Sequence, residues 1–194
     1  MAIEWPASLC PNEMTWGMVY NNRSFTSTLS NAQQIVGYPG AYWQCTLTFN
    51  SMSRAKERQL SSVIGKLQGM FGTVNLPAFT RRRTDSIGAP VVITGNAQAT
   101  VMTIGGVTAS RKVFSYGDYI SINGEMFEVV DDASSNAQGR VQVSLNKRIR
   151  KALVAGAAVE YRNPFSEMRR PDDNHSFTIQ PLVANGTLQL REAF

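Results

Sequence analysis

The sequence predicts a mainly β protein with a single helix, an α+β fold built as a sheet-plus-helix or β-sandwich domain into which a small β unit is inserted. Three observations predict it. Charged residues make up only 17% of the chain, against about 25% in average proteins, and Ser, Thr, Asn, Gln and Gly fill the deficit, a mixture that suits strands and turns better than exposed helices. Strict apolar–polar alternation recurs in short runs, and only one stretch has helical spacing. The 194 residues, 43% of them hydrophobic, are enough for one large domain or two small ones with a real core.

The first elements are short strands. In Thr15–Tyr20 the residues Trp16, Met18 and Tyr20 fall on one face at period two. Asn21-Asn22 predicts a turn, and Pro39-Gly40 another. Ala41–Phe49 is the clearest strand: Trp43, Cys45, Leu47 and Phe49 point one way, and Tyr42, Gln44, Thr46 and Thr48 the other. The helix follows over about 53–70. Ser53 is placed to cap it, Leu60, Val63, Ile64, Leu67, Met70 and Phe71 form its apolar stripe, and Gly69 and Gly72 are its candidate stops. Its stripe is expected to lie on the sheet holding Trp43 and Leu47. Thr73–Leu76 predicts a short strand closed by Pro77.

Beyond residue 84 the character changes. Val91–Thr94 and Gln98–Ile104 are short and β-branched. Asp118–Ile122 and Glu125–Val130 flank Asn123-Gly124, the strongest short-range hairpin signal, because a type I′ turn needs positive φ at both central residues. Asp131–Gly139 is a polar loop, Arg140–Asn146 alternates again, and Ala157–Arg162 is placed to close the unit. Such a run of short strands fits a small barrel or sandwich. Asn163-Pro164 and Met168–Asn174 look like connectors, and Ser176–Pro181 with Thr187–Phe194 flank a second Asn-Gly, at 185–186, as a terminal hairpin. The predicted organisation is therefore a discontinuous domain, 1–84 plus 164–194, with an inserted β-barrel domain at 85–163. A continuous two-domain split is the alternative.

Most catalytic classes lack their residues. One His and two Cys leave little for a structural zinc site, which needs four N/S ligands. His175, beside Asp172-Asp173-Asn174, and Asp131-Asp132 are better read as solvated turns than as acid–base or cation sites. Gly105-Gly106 lacks the GK[ST] of a phosphate loop, and there is no G-x-S-x-G elbow. No catalytic, cofactor-binding or metal-ligating residue is assigned, and the expectation is a protein that is not an enzyme. Cys10 and Cys45 are read as unpaired thiols. The N-terminus has neither the basic nor the apolar region of a signal peptide. The uncharged stretch Ile87–Ser110 is too interrupted by Gly, Pro and Asn to cross a membrane.

The net charge of +5 is concentrated in three clusters: Arg81, Arg82 and Arg83; Lys147, Arg148, Arg150 and Lys151; and Arg169 and Arg170. Arginine is enriched at protein interfaces, where it pairs bidentately with carboxylates, so these residues are read as candidate subunit contacts. Solvated loops and nucleic-acid contacts are the alternatives. The aromatic residues Trp5, Trp16, Phe25, Tyr38, Tyr42 and Trp43 are read as core and interface anchors rather than a sugar site.

The order of several pieces resembles the distal tail proteins of long-tailed (siphovirus-type) bacteriophages. They are Trp5-Pro6, Trp16, Phe25-Thr26-Ser27-Thr28-Leu29-Ser30, Pro39-Gly40-Ala41-Tyr42-Trp43, Leu47, the helix ending in Leu67-Gln68-Gly69, Leu76-Pro77, Gly117-Asp118-Tyr119-Ile120 and Glu192-Ala193-Phe194. The likeness covers most of the chain in outline, and order and spacing carry it. It implies a sheet-plus-helix domain that assembles into a ring, usually a hexamer, with an oligonucleotide-binding-like barrel inserted on the outside. It also implies a virion structural protein of the tail and baseplate, assembled in the host cytoplasm. Its expected partners are copies of itself, the tail tube protein and the baseplate hub or tail tip protein, with DNA passing through the ring without specific recognition. It implies no membrane partner, no cofactor and no catalysis. Two alternatives stand beside it: a head–tail connector or tail-completion ring, and a β-barrel module binding single-stranded nucleic acid or sugar.

Overall fold

The computed structural model describes residues 2–174, 176, 178–179 and 183–193. Its first strand, β1 (Ile3–Glu4), is followed by two much longer ones, β2 (Glu13–Thr26) and β3 (Gln33–Met52). These two pair antiparallel from Glu13↔Thr48 to Thr26↔Gln33 and form one continuous ribbon. The expected turn at Asn21-Asn22 is therefore not there, because both residues sit inside β2. Pro39-Gly40 is not a turn either. At that point β2 advances from Val19 to Asn21 while β3 goes from Tyr42 to Tyr38, so the signal marks a bulge. Gly40 takes φ of 111° there, which glycine adopts without steric cost, and Pro39 has no N–H to give the ladder. The real turn is Ser27–Ala32, closed by Ser27 N–H donating to Ala32 O at 2.9 Å.

The helix α1 (Arg54–Leu67) forms where its spacing places it. The Ser53 hydroxyl accepts from Lys56 N–H at 3.4 Å, and Leu60, Val63, Ile64 and Leu67 are buried. Gln68 turns left-handed, and Gly72 N–H donates to Leu67 O at 2.7 Å, which terminates the helix. Met70 and Phe71, expected in the apolar stripe, lie past this stop and are exposed. β4 (Val74–Pro77) follows, then a short turn of 3₁₀ helix at Phe79–Arg81.

Residues 85–163 contribute β5 (Gly88–Thr94), β6 (Val101–Val107), β7 (Lys112–Phe114), β8 (Tyr119–Ile122), β9 (Glu125–Glu128), β10 (Ala133–Ser134) and β11 (Val141–Ser144). Asn123 and Gly124 both have positive φ, 51° and 82°, and join β8 to β9 as predicted. The strands form three small sheets, β11-β6-β5, β10-β7 and β8-β9. No closed barrel joins them among the described residues. Register shifts interrupt β5, and the expected closing strand at 157–162 is present only as isolated bridges, Val91↔Ala158 and Ser121↔Glu160.

The chain returns through β12 (Phe165–Arg169), β13 (Thr178–Ile179) and β14 (Ala184–Glu192). The connector expected at Met168–Asn174 thus begins inside a strand, β12, which lies between β4 and β14 with Ser166 and Met168 buried. The second Asn-Gly is also not a hairpin turn. Asn185 and Gly186 lie within β14 at a register shift opposite β3, where Asn185 Oδ1 accepts from Ser51 N–H at 2.8 Å. His175, Phe177, Pro181 and Phe194 lie outside the described residues.

The main sheet runs β1-β4-β12-β14-β3-β2, with β13 added on β14. One hydrophobic cluster packs this sheet against α1 through residues that include Leu47, Phe49, Leu60, Leu67, Val74, Met168 and Leu190. A second cluster lies wholly within residues 87–161, around Ile104, Phe114, Phe127, Val143 and Tyr161. A small third cluster, Trp43, Ala78, Tyr119 and Met126, joins the two.

Candidate assembly interface

The root and the far half of the β2–β3 ribbon differ sharply. At the root Trp43, Cys45, Leu47 and Phe49 are buried. Beyond the bulge residues 20–39 are exposed, with half-buried Val36 the one exception. The exposed set includes Tyr20, Phe25 (56%), Leu29 (98%), Ile35 (65%) and Tyr38. Six register pairs, Asn21↔Tyr38 to Thr26↔Gln33, make an arm of roughly 20 Å at about 3.4 Å per residue. Between Tyr20 and Gly40 its only charge is Arg23.

The arm has two open edges. β2 is the outermost strand of the main sheet along its whole length. β14 pairs β3 from Gln44 to Met52, so among the described residues the far half of β3 has no strand on its outer side. One open edge therefore belongs to β2 and the other to β3, on opposite sides of one ribbon. Unpaired edges are templates for pairing with another chain, and a two-stranded ribbon without a core is marginal in water. Natural edges are commonly protected by charge or proline. This arm has little of either.

The structure separates the cations read from the sequence as interface residues. Arg81 and Arg82 are exposed and lie over the rings of Tyr119 and Phe79, at 5.2 and 5.0 Å. Arg83 is turned inward, bonded to Asp85 at 2.5 Å, to Asp118 at 2.8 Å and to Val113 O. Arg170 is buried and bonds Asp172 and Asn174 O. Arg169 lies in β12, in register with Arg191. Arg148 and Lys151 are exposed. Lys147 corrects the expectation outright. Its side chain is 0% exposed and its Nζ lies 2.5 and 2.7 Å from the two oxygens of Glu192, which is itself 1% exposed. A buried ammonium whose charge is spent inside the chain cannot dock a partner.

Glu192 is the centre of a four-charge cluster. Its carboxylate also accepts from Trp43 N–H at 3.0 Å and from the Arg150 guanidinium at 2.6 Å. Glu125 completes the set, 3.4 Å from Lys147 and 3.7 Å from Arg150. Burial pushes the Lys147 ammonium below its ordinary value, against the pull of Glu192, and pushes the Glu125 carboxyl up, against Lys147 and Arg150. The cluster ties β14 and β3 to residues 125–150. Trp43 Nε1–H donating to Met126 O at 2.9 Å adds a second tie.

No local signal in the sequence marks Glu192 or Glu125 as partners of Lys147. The exposed arm is marked by Phe25, Ile35 and Tyr38 in a stretch nearly free of charge, but only once its strand assignment is known. Fold and site together define a mainly β chain with an exposed, nearly uncharged, two-edged arm. No protein-family model and no curated protein matches the chain.

Proposed function

We propose that this chain is a non-enzymatic virion subunit that assembles head-to-tail into a ring, as a distal tail protein joining a phage tail tube to the tail tip hub. The observation that carries the reading is the arm. A closed ring needs two different, complementary surfaces on each subunit. The open β2 edge and the open far edge of β3 meet that requirement on one ribbon. In a cyclic arrangement β3 of one copy lies antiparallel beside β2 of the next, the pairing geometry of the ribbon itself. Phe25, Ile35, Val36 and Tyr38 supply apolar surface to cover, and the near absence of charge removes the usual barrier to edge pairing.

In this reading residues 1–84 and 164–194 build the ring. Residues 85–163 form the outward unit, an oligonucleotide-binding-like fold left unclosed. Arg81, Arg82, Arg148, Arg169 and Lys151 remain as contacts for neighbouring copies or adjoining tail proteins. The test is particle mass by light scattering, with electron-microscopy top views of the purified chain. Six-fold or three-fold rings support the reading. A chain that stays monomeric at high concentration, and binds single-stranded DNA with a steep salt dependence, overturns it in favour of a binding module.

A further inference from the structure

We infer that the segment Asn146–Arg150, with Glu192, is an internal brace that sets the direction of the arm, and that Tyr20 and Arg150 are positioning residues for assembly. The arm leaves the sheet at a bulge, where Tyr20 faces Pro39, Gly40 and Ala41 without a ladder partner. The strand ladder is interrupted there and does not fix its angle. A groove of about 210 Å³, lined by Tyr20, Gly37, Tyr38, Thr100, Asn146 and Arg148, separates the arm root from residues 100–148. Two polar ties cross this region. The Tyr20 hydroxyl donates to Asn146 O at 3.3 Å. The Arg150 guanidinium donates to Ala41 O at 3.4 Å on the arm root, and to Ala193 O at 3.1 Å on the chain following β14.

Arg150 is in turn held by Glu192 at 2.6 Å, and Glu192 is fixed by Lys147 and by Trp43 N–H. A planar guanidinium with five donors can hold a carboxylate and two carbonyls at once, which an ammonium cannot do in one plane. The brace thus runs from the buried cluster through Arg150 to the root of the arm, with Tyr20 as its second foot. It couples residues 85–163, the unit placed outward in the ring reading, to the surface that makes the ring. The effect on assembly rests on that reading. The effect on the arm root does not.

The test is hydrogen exchange read by mass spectrometry on the full-length chain, diluted below assembly, with particle mass measured in parallel. Arg150→Gln is expected to speed exchange at residues 19–22 and 38–42 by roughly tenfold, and Tyr20→Phe by a smaller factor. The helix at 54–67 is expected to keep its protection in both. Arg150→Lys, which keeps the charge but loses the planar fork, is expected to fall between wild type and Arg150→Gln. If Arg150→Gln loses helix protection as well, Tyr20→Phe, which removes one hydroxyl, decides alone. Unchanged exchange at the arm root overturns the brace. Faster root exchange in a chain that forms no rings as wild type supports the brace and overturns the ring. Faster exchange together with rings that lose their uniform diameter supports both.

Discussion

Residues 13–19 with 42–48 and residues 21–26 with 33–38 belong to the same two strands, yet they are different materials. In the root half, Cys45 and Leu47 of β3 meet the α1 core and Trp43 meets Tyr119, with Met14, Trp16 and Met18 of β2 half-buried beside them. Register there is fixed, because a slip of one residue would turn the buried side chains to water. In the arm half both faces are wet. The pairs Phe25↔Gln34 and Ser24↔Ile35 sit on opposite faces, and each carries one apolar residue into solvent. The root is thus specified by the chain's own core. The arm, with the same backbone pairing, has no such core. This contrast separates substitutions that unfold the subunit from those that disarm it.

The largest effect is expected at the anchor of the root. Glu192→Gln leaves the buried Lys147 and the half-buried Arg150 with less counter-charge, and breaking the buried Lys147 pair in this way costs about 3–5 kcal/mol. Chemical denaturation should show a shifted midpoint with an unchanged slope. A midpoint within error of wild type would mean that the cluster is solvated. Next, Leu47→Ala at the root should lower stability by about 2–5 kcal/mol through lost packing. Ile35→Ser in the arm should change monomer stability by less than about 0.5 kcal/mol and, on the proposed ring reading, abolish the large particle in light scattering. If Ile35→Ser instead destabilises the isolated chain as much as Leu47→Ala, the arm has a core of its own and the contrast fails.

The root was legible in the sequence and the arm was not, for one reason. Alternation records burial on one face, so Trp43, Cys45, Leu47 and Phe49 announced their strand. Tyr20 to Tyr38 are buried on neither face, so no alternation was selected there, and Asn21-Asn22 and Pro39-Gly40 carried only the chemistry of turns. Asn123-Gly124 was legible because two positive φ values define its turn. Asn185-Gly186 has the same letters at a bulge, where Asn185 serves Ser51 through its side chain. β12 was missed because five residues ending in Arg169 and followed by Arg170 look solvated, although Arg170 is buried. The ion cluster was illegible because its partners lie 45 residues apart, and no local pattern tells a lysine that it will be buried.

The two thiols give a milder reading of the same division between core and surface. Burial pushes the Cys45 thiol up to about 12, whereas Cys10 is exposed. Nucleophilic labelling needs the thiolate, so one equivalent of an aromatic disulfide reagent should react quickly near pH 8 and the second only on denaturation. Rapid reaction of both thiols in the folded chain would mean that the root of the ribbon opens readily, against the fixed register argued above.

The smallest effect is expected at the surface of the inserted segment, and it is a matter of sign. The Arg83 hydrogen bond holds the Asp85 carboxyl below its ordinary range, against a smaller opposing push from burial. A lowered folded value means that this pair adds stability above the unfolded pKa, near 4, and that the gain is lost as pH falls through the folded value. Glu125 has the opposite sign. Burial raises its carboxyl, so lowering the pH relieves part of the cost of burying its charge. Asp85→Asn should therefore lie slightly below wild type in stability at neutral pH, with the gap closing on acidification, as read from denaturation midpoints between about pH 3 and 7. The gap should be small, because Asp85 is half exposed and solvent screens such pairs. A gap that persists at the acid end would assign the loss to the Arg83 contacts with Val113 O and Asp118 rather than to the charge of Asp85.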